Sequence, residues 1–155
     1  MPTEIVVAPE ECRLVSQGAV LLTRHLGSGW ALVIHHPERQ IGALARFSGR
    51  PDRAIHEALW AARPLAGSRR GWCAYAIGGA AAPGDEPAAR LAHSQRLAIQ
   101  ASLWREGVLL KGEECGGHRT RMIYFDPAVG RLIVRSAEPI ASRVPQTSLP
   151  CPLAS

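Results

Sequence analysis

Short apolar segments separated by turn residues run through most of this sequence, and they limit the folds that it can adopt. Roughly eight segments have the length of β-strands, and most are joined in pairs by stretches typical of hairpins. Segments 30–35 and 41–47, for example, flank a turn that contains Pro37. Two longer segments, 51–62 and 88–106, have the pattern of helices. The sequence therefore predicts an α+β fold with mixed or antiparallel sheets rather than a doubly wound parallel sheet.

The length and composition of the chain fit one globular domain. Its 155 residues are 46% hydrophobic and 20% charged, and such a chain can bury a core without disulfides or metal. No apolar run reaches the roughly 18 residues that span a bilayer, and the N-terminus lacks the pattern of a signal peptide. We therefore expect a cytoplasmic protein without membrane insertion, with a domain over 1–135 and a proline-rich tail over 136–155. Trp60 and Trp104, on the predicted helices, are expected in the core.

The net charge of +5 raises the question of a nucleic-acid partner. The basic residues are almost all arginines, and they are scattered along the chain. No basic stripe with interleaved aromatic residues is present, as single-strand binders require. We therefore expect no nucleic-acid partner. A basic nucleic-acid binder is nevertheless a third interpretation, and steep weakening of binding with salt would identify it.

The spacing of cysteine and histidine does not match that of a metal site. The four cysteines contain no C-x-x-C pair, and free thiols are the ordinary state in a reducing cytosol. Cys115 and His118 share one turn, but zinc needs three or four ligands, and no partner pair is evident. His35 and His36 are adjacent on a predicted strand and point to opposite faces. We expect one of them at the surface and the other partly buried, and neither a metal nor a cofactor.

Four segments stand in an order that indicates a family. Residues 23–33 read T-R-H-L-G-S-G-W-A-L-V, residues 41–47 read I-G-A-L-A-R-F, and residues 77–81 read I-G-G-A-A. Residues 113–121 read E-E-C-G-G-H-R-T-R, before a closing hairpin. In this order they resemble the T-x-x-x-G-S-C-V-A-V, V-G-x-M-x-H, F-G-G-A-x-M and E-D-x-G-G-N-x-x-R motifs of the CheD family, the chemoreceptor glutamine deamidases of bacterial and archaeal chemotaxis. The resemblance covers about residues 4–135.

The resemblance implies a layered α+β sandwich of mixed sheets with two main helices. It also implies a site in which a Cys thiolate attacks a receptor glutamine, a His activates the thiol, and a third polar group orients them. The positions of these three groups correspond here to Gly29, Arg46 and Thr23. The motifs further imply a pocket around the catalytic positions, in which a glycine turn frees backbone N–H groups for the oxyanion. The expected pocket residues are Gly27, Ser28, Arg46, Gly78 and Gly79.

Only Thr23 among the three catalytic positions keeps the family residue type. Gly29 has no side chain and cannot form a thioester, and Arg46 keeps its proton at physiological pH and cannot act as a base. Loss of either member of such a pair removes most of the rate enhancement. We therefore expect a catalytically inactive CheD-like chemotaxis protein. It would act as a binding or regulatory module toward a chemoreceptor cytoplasmic domain or a CheC-like partner.

Two further hypotheses concern the chemistry of this site. The alternative function is an active glutamine deamidase with a surrogate nucleophile, either Ser28 beside His25 or Cys115 beside His118. Separately, Arg46 could hold a carboxylate or another anion where the family cleaves an amide, because guanidinium groups pair well with carboxylates. Against this second hypothesis, Arg46 could instead pair with a neighbouring acid or point to solvent.

Overall fold

The chain folds into two sheets and a layer of helices. The structure is a computed structural model that describes residues 2–66 and 70–141, and these residues form nine strands and two helices. In chain order the elements are β1 (Thr3–Val6), β2 (Cys12–Val15), β3 (Ala19–Leu26), β4 (Trp30–His36), β5 (Ile41–Phe47), α1 (Pro51–Ala66), β6 (Cys73–Gly78), α2 (Glu86–Glu106), β7 (Leu109–Cys115), β8 (Arg119–Asp126) and β9 (Arg131–Pro139).

Both sheets are mixed. One has four strands in the order β1-β3-β8-β9, and the other has five in the order β2-β5-β4-β6-β7. β1 pairs with β3 in parallel, as β6 does with β7, and the other neighbours are antiparallel. The sheets pack face to face, and both helices cover the far side of the five-stranded sheet. The predicted layered α+β fold with two main helices is confirmed.

The central strand β4 is buried on both faces. Trp30, Leu32 and Ile34 pack toward the helices, whereas Ala31 and Val33 pack toward the four-stranded sheet. A strand covered on both sides needs apolar residues at successive positions. This double coverage explains the continuous apolar segment that the sequence shows here.

The two helices begin and end close to where their sequences predict. The buried face of α1 consists of Ile55, Ala58, Leu59 and Ala62, as expected from their spacing. The N-cap residue of α2 is Asp85, whose side chain accepts a hydrogen bond from the backbone of Ala88 at 3.2 Å. The helix ends at Gly107 in the left-handed conformation, which confirms the predicted C-cap.

The expectation that both helix tryptophans lie in the core is wrong. Trp60 is 57% exposed and Trp104 is 85% exposed. Each directly follows a buried leucine, Leu59 or Leu103, and successive helix residues point about 100° apart. The indole of each tryptophan is therefore turned away from the face that packs on the sheet. The guanidinium of Arg63 stacks over the Trp60 ring at 4.0 Å.

Two strands differ from the expectations. β2 was not predicted, and it adds an edge strand through antiparallel pairing with β5. β9 runs to Pro139, four residues past the expected end of the domain at 135. Residues 142–155, most of the predicted tail, lie outside the described residues. Within the described part of the chain, neither helix is long and apolar enough to cross a membrane.

Candidate functional site

Three strand ends bring the candidate pocket residues together at one end of the sandwich. The turn 27–29 leads into β4, and the first residue of that strand, Trp30, pairs with Phe47 of β5 and Gly78 of β6. The backbone N–H of Gly79 donates to the carbonyl of Gly29 at 3.0 Å. We call this region, formed by residues 27–29, 46–48 and 78–79, the mouth.

Close backbone packing at the mouth requires the two adjacent glycines. Gly78 has φ +134°, and a Cβ there would overlap the Gly29 carbonyl oxygen. Gly79 has φ +68°, and a Cβ there would lie 2.5 Å from the indole of Trp30. Neither the backbone angles nor the space admits a side chain. The pair therefore fixes the position of the turn that carries Gly29.

Two further side chains stabilise the mouth through hydrogen bonds. The sequence analysis did not identify the role of either one. Arg121 is 7% exposed and donates to the carbonyls of Gly116 at 2.7 Å and Gly78 at 3.4 Å. Gln95 of α2 accepts a hydrogen bond from the Trp30 indole N–H at 2.9 Å. In the sequence, only the E-x-x-x-x-x-x-R spacing in residues 114–121 points to the role of Arg121.

Gly29, which the motif alignment predicts to be the nucleophile position, leaves room for a side chain. A Cβ built on Gly29 would lie 3.3 Å from the carbonyl oxygen of Phe47, which is its nearest neighbour. A shift of a few tenths of an ångström would relieve this contact. The φ angle of Gly29 also lies outside the region that disfavours side chains. The backbone of the mouth is therefore compatible with a cysteine at this position.

Arg46 points from β5 toward the four-stranded sheet and lacks an ionic partner. Nη1 donates to the carbonyl of Val7 at 3.4 Å, a long hydrogen bond, and Nε is buried without any partner. Burial lowers the pKa of Arg46, and the nearby carboxylate of Glu10 opposes that change. No salt bridge to Arg46 forms within residues 2–66 and 70–141. The alternative in which Arg46 pairs with a neighbouring acid is therefore not what the structure shows.

Thr23 lies close to the same point and is also without a partner. Its side chain is 1% exposed, and its hydroxyl makes no hydrogen bond. Val6 pairs with Leu22, and the N–H of Val7 donates to the Leu22 carbonyl at 2.8 Å, so Val7 lies beside Thr23. Because Arg46 contacts the carbonyl of Val7, both unsatisfied side chains lie next to this residue.

Two known proteins are similar to this chain over most of its length. One is the "Probable chemoreceptor glutamine deamidase CheD" of Solibacter usitatus, 29% identical over 147 residues, which cover 83% of this chain and 86% of that protein. The other, of the same description, is from Archaeoglobus fulgidus, 29% identical over 149 residues, which cover 87% of this chain and 94% of that protein. These two similarities support membership of the chain in the CheD family. No family model matches it. The motif alignment that assigns Gly29 and Arg46 to the Cys and His positions stays a prediction from the sequence.

Cys12 is a thiol near the mouth that the sequence analysis treated as a free cysteine and did not propose as a nucleophile. It lies opposite Ala45 in the register of β2 and β5, and it lines a groove of about 480 Å³ that Arg46 also lines. Ala45 and Arg46 point to opposite faces of the sheet, so Cys12 and the guanidinium lie on different sides. Burial and the carboxylates of Glu11 and Glu57 raise the pKa of Cys12 to about 11. Cys12 is therefore a poor nucleophile at neutral pH.

The expected surrogate pairs do not form nucleophile–base hydrogen bonds in the described part of the chain. Ser28 and His25 are both exposed, and no hydrogen bond joins them. The Cys115 thiol donates to the Ala76 carbonyl, and His118 bonds to the Ala81 carbonyl at 2.9 Å. Burial raises the pKa of Cys115 to about 11, with Glu113 adding to the effect. Each pair thus lacks the contact that would activate its nucleophile.

His35 and His36 point to opposite faces of β4, as predicted, but the expectation that one is at the surface is wrong. His35 stacks edge-on against Phe125, and its Nε2–H donates to the carbonyl of Pro127 at 3.0 Å. His36 packs edge-on against Trp72. Both are buried because the sheets and helices cover both faces of the strand. Among the residues that the structure describes, no group of three His, Cys, Asp or Glu side chains could hold a metal ion.

Proposed function

We propose that this chain is a cytoplasmic CheD-type chemotaxis protein that binds its partner without deamidating it. The partner would be the cytoplasmic domain of a chemoreceptor or a CheC-like protein. One observation carries the proposal: the mouth keeps its closely packed glycine frame, while Gly29 supplies no nucleophile and Arg46 supplies no base. Both relatives are described as chemoreceptor glutamine deamidases, and this gives the proposal its substrate class.

The chemistry of amide hydrolysis supports inactivity. The reaction needs an atom that attacks the carboxamide carbon and a group that takes a proton and later delivers it to ammonia. The hydroxyl of Thr23 is buried beside a guanidinium that cannot accept its proton. Neither Cys12 nor Cys115 is a thiolate near pH 7, since both have pKa values of about 11. The alternative of a deamidase with a surrogate nucleophile therefore has no observation in its favour.

The test is the intact mass of a cognate chemoreceptor fragment after incubation with the protein. Conversion of an amide into a carboxylate changes the mass, so the measurement assumes no particular nucleophile. We expect no change with the natural protein and a change with the Gly29→Cys/Arg46→His double variant. The Gly29→Ala/Arg46→His variant is the matched control, because it adds the same Cβ without a thiol.

The outcomes separate binding from chemistry. A mass change with the natural protein would overturn the proposal of inactivity. Direct titration of the receptor fragment and of a CheC-like protein measures the binding half of the proposal. If the natural protein binds neither of them, the proposed binding role is wrong, whatever the double variant does.

A further inference from the structure

Two hydrogen-bonding atoms in the space between the sheets are buried and unsatisfied. They are Nε of Arg46 and the hydroxyl oxygen of Thr23. Most buried polar atoms in native proteins have a partner, so each exception needs an explanation. Both groups carry a hydrogen that is available for a hydrogen bond, and both lie beside Val7 in the space between the sheets. An acceptor that reached this point would satisfy the two together.

The distribution of charge at the mouth favours an anionic acceptor. Arg46 carries a positive charge and makes no salt bridge within residues 2–66 and 70–141, although the carboxylate of Glu10 lies near enough to act on its pKa. The other charged residues of the groove that Arg46 lines do have partners: Arg50 with Asp52, Arg53 with Glu57, Glu11 with Arg13, and Glu10 with the Ser48 hydroxyl. Glu10 influences Arg46 but makes no salt bridge to it, since its carboxylate accepts from Ser48 at 2.6 Å.

We propose that Arg46 and Thr23 form a carboxylate-binding site that holds a receptor glutamate, so that the protein binds the deamidated receptor more tightly than the amidated one. This inference rests on the proposed function. A guanidinium donates two parallel hydrogen bonds to the two oxygens of a carboxylate, and the Thr23 hydroxyl supplies a third donor. A glutamine amide offers one acceptor oxygen, and its NH₂ group would face these donors. Arg46 is only partly buried and lines the groove, so part of the residue is accessible from outside the protein.

The test compares two forms of one receptor fragment. A cognate fragment is treated with an active CheD relative until its mass shows conversion of glutamine to glutamate, and the untreated fragment is kept as the amide form. Binding of each form is measured by calorimetric titration at fixed ionic strength. We expect the converted form to bind about tenfold more tightly, because a charge-assisted bidentate pair forms only with the carboxylate.

Variants connect that preference to the proposed residues. Arg46→Ala should bind both forms equally, and Thr23→Val should reduce the preference several-fold. Arg39→Ala is the matched control, because it removes the same charge from an exposed residue at the opposite end of β4 and should leave the preference intact. If Arg46→Ala does not fold, Arg46→Gln removes the charge while keeping a long polar side chain.

The possible outcomes distinguish this inference from the proposed function. If the natural protein binds both forms equally, or if the preference survives in the Arg46 variant, the carboxylate site is wrong while receptor binding stands. If the preference is lost equally in Arg39→Ala, general charge rather than the site produces it, and the inference is again wrong. If neither form binds, the proposed receptor binding fails and the inference fails with it.

Discussion

Replacement of Thr23 by valine should stabilise the unbound protein, contrary to the usual effect of a core substitution. The side chain is 1% exposed, and its hydroxyl loses hydration on folding without gaining a partner. An unsatisfied buried polar group costs about 1–3 kcal/mol. Valine has nearly the same shape, favours strands and buries one additional methyl group. We expect the free energy of unfolding to rise by about 1–2 kcal/mol, and the Tm by about 2–4 °C for each kcal/mol in a domain of this size.

Urea unfolding followed by circular dichroism, without any partner, measures this change. Thr120→Val is the matched control, since the Thr120 hydroxyl accepts a hydrogen bond from the N–H of Glu138 at 3.1 Å. That variant should lose stability, because it leaves a donor without its partner. If Thr23→Val loses stability as well, the Thr23 hydroxyl is paired in solution. In that case both the stability argument and the role of Thr23 as a carboxylate donor are wrong.

Two other groups give predictions that depend on pH. Cys12, with a pKa of about 11, should react with iodoacetamide much more slowly at pH 7.5 in the native protein than in urea. The rate in the native protein should rise toward pH 11. Fast labelling of the native protein that disappears in Cys12→Ala would contradict this prediction. Burial lowers the pKa of His35 below its usual 6.5, so the unfolded chain binds the additional proton first, and stability should fall as the pH drops through 6.5. Urea midpoints at pH 7.5 and 5.5 should differ less in His35→Gln, and an undiminished difference would exclude His35 as the cause.

Periodicity and turn residues predicted the central part of the fold because burial there repeats regularly along the chain. β5 and the buried face of α1 lie where the sequence predicts them. β2 has only four residues, one of them Arg13, and it is held as an edge strand by its pairing with β5. That partner is distant in sequence, so no local pattern marks the strand. Trp104 was misplaced because residue type was used in place of its angular position on the helix.

The motifs predicted the positions of the site residues, whereas their contacts could be seen only in the structure. The resemblance singled out Gly29, Arg46 and Thr23, and the structure puts Gly29 and Arg46 at neighbouring strand ends. What makes Arg46 and Thr23 chemically unusual is that Nε of Arg46 and the Thr23 hydroxyl have no hydrogen-bond partner among the described residues. Their surroundings include Val7, which the parallel pairing of β1 with β3 places beside them. Pairing between distant segments cannot be read from local residue patterns.

Several features of the mouth lower the stability of the protein, and this favours a binding role over a former active site without function. Gly78 and Gly79 hold left-handed backbone angles against Gly29 and Trp30, and a side chain at either position would break this packing. Nearby, Nε of Arg46 and the hydroxyl of Thr23 are buried without hydrogen-bond partners among the described residues, and each lowers stability. Native proteins tolerate such local conflicts mainly at functional sites. Because the glycine at position 29 relieves none of these costs, they favour the proposed recognition of a ligand by Arg46 and Thr23.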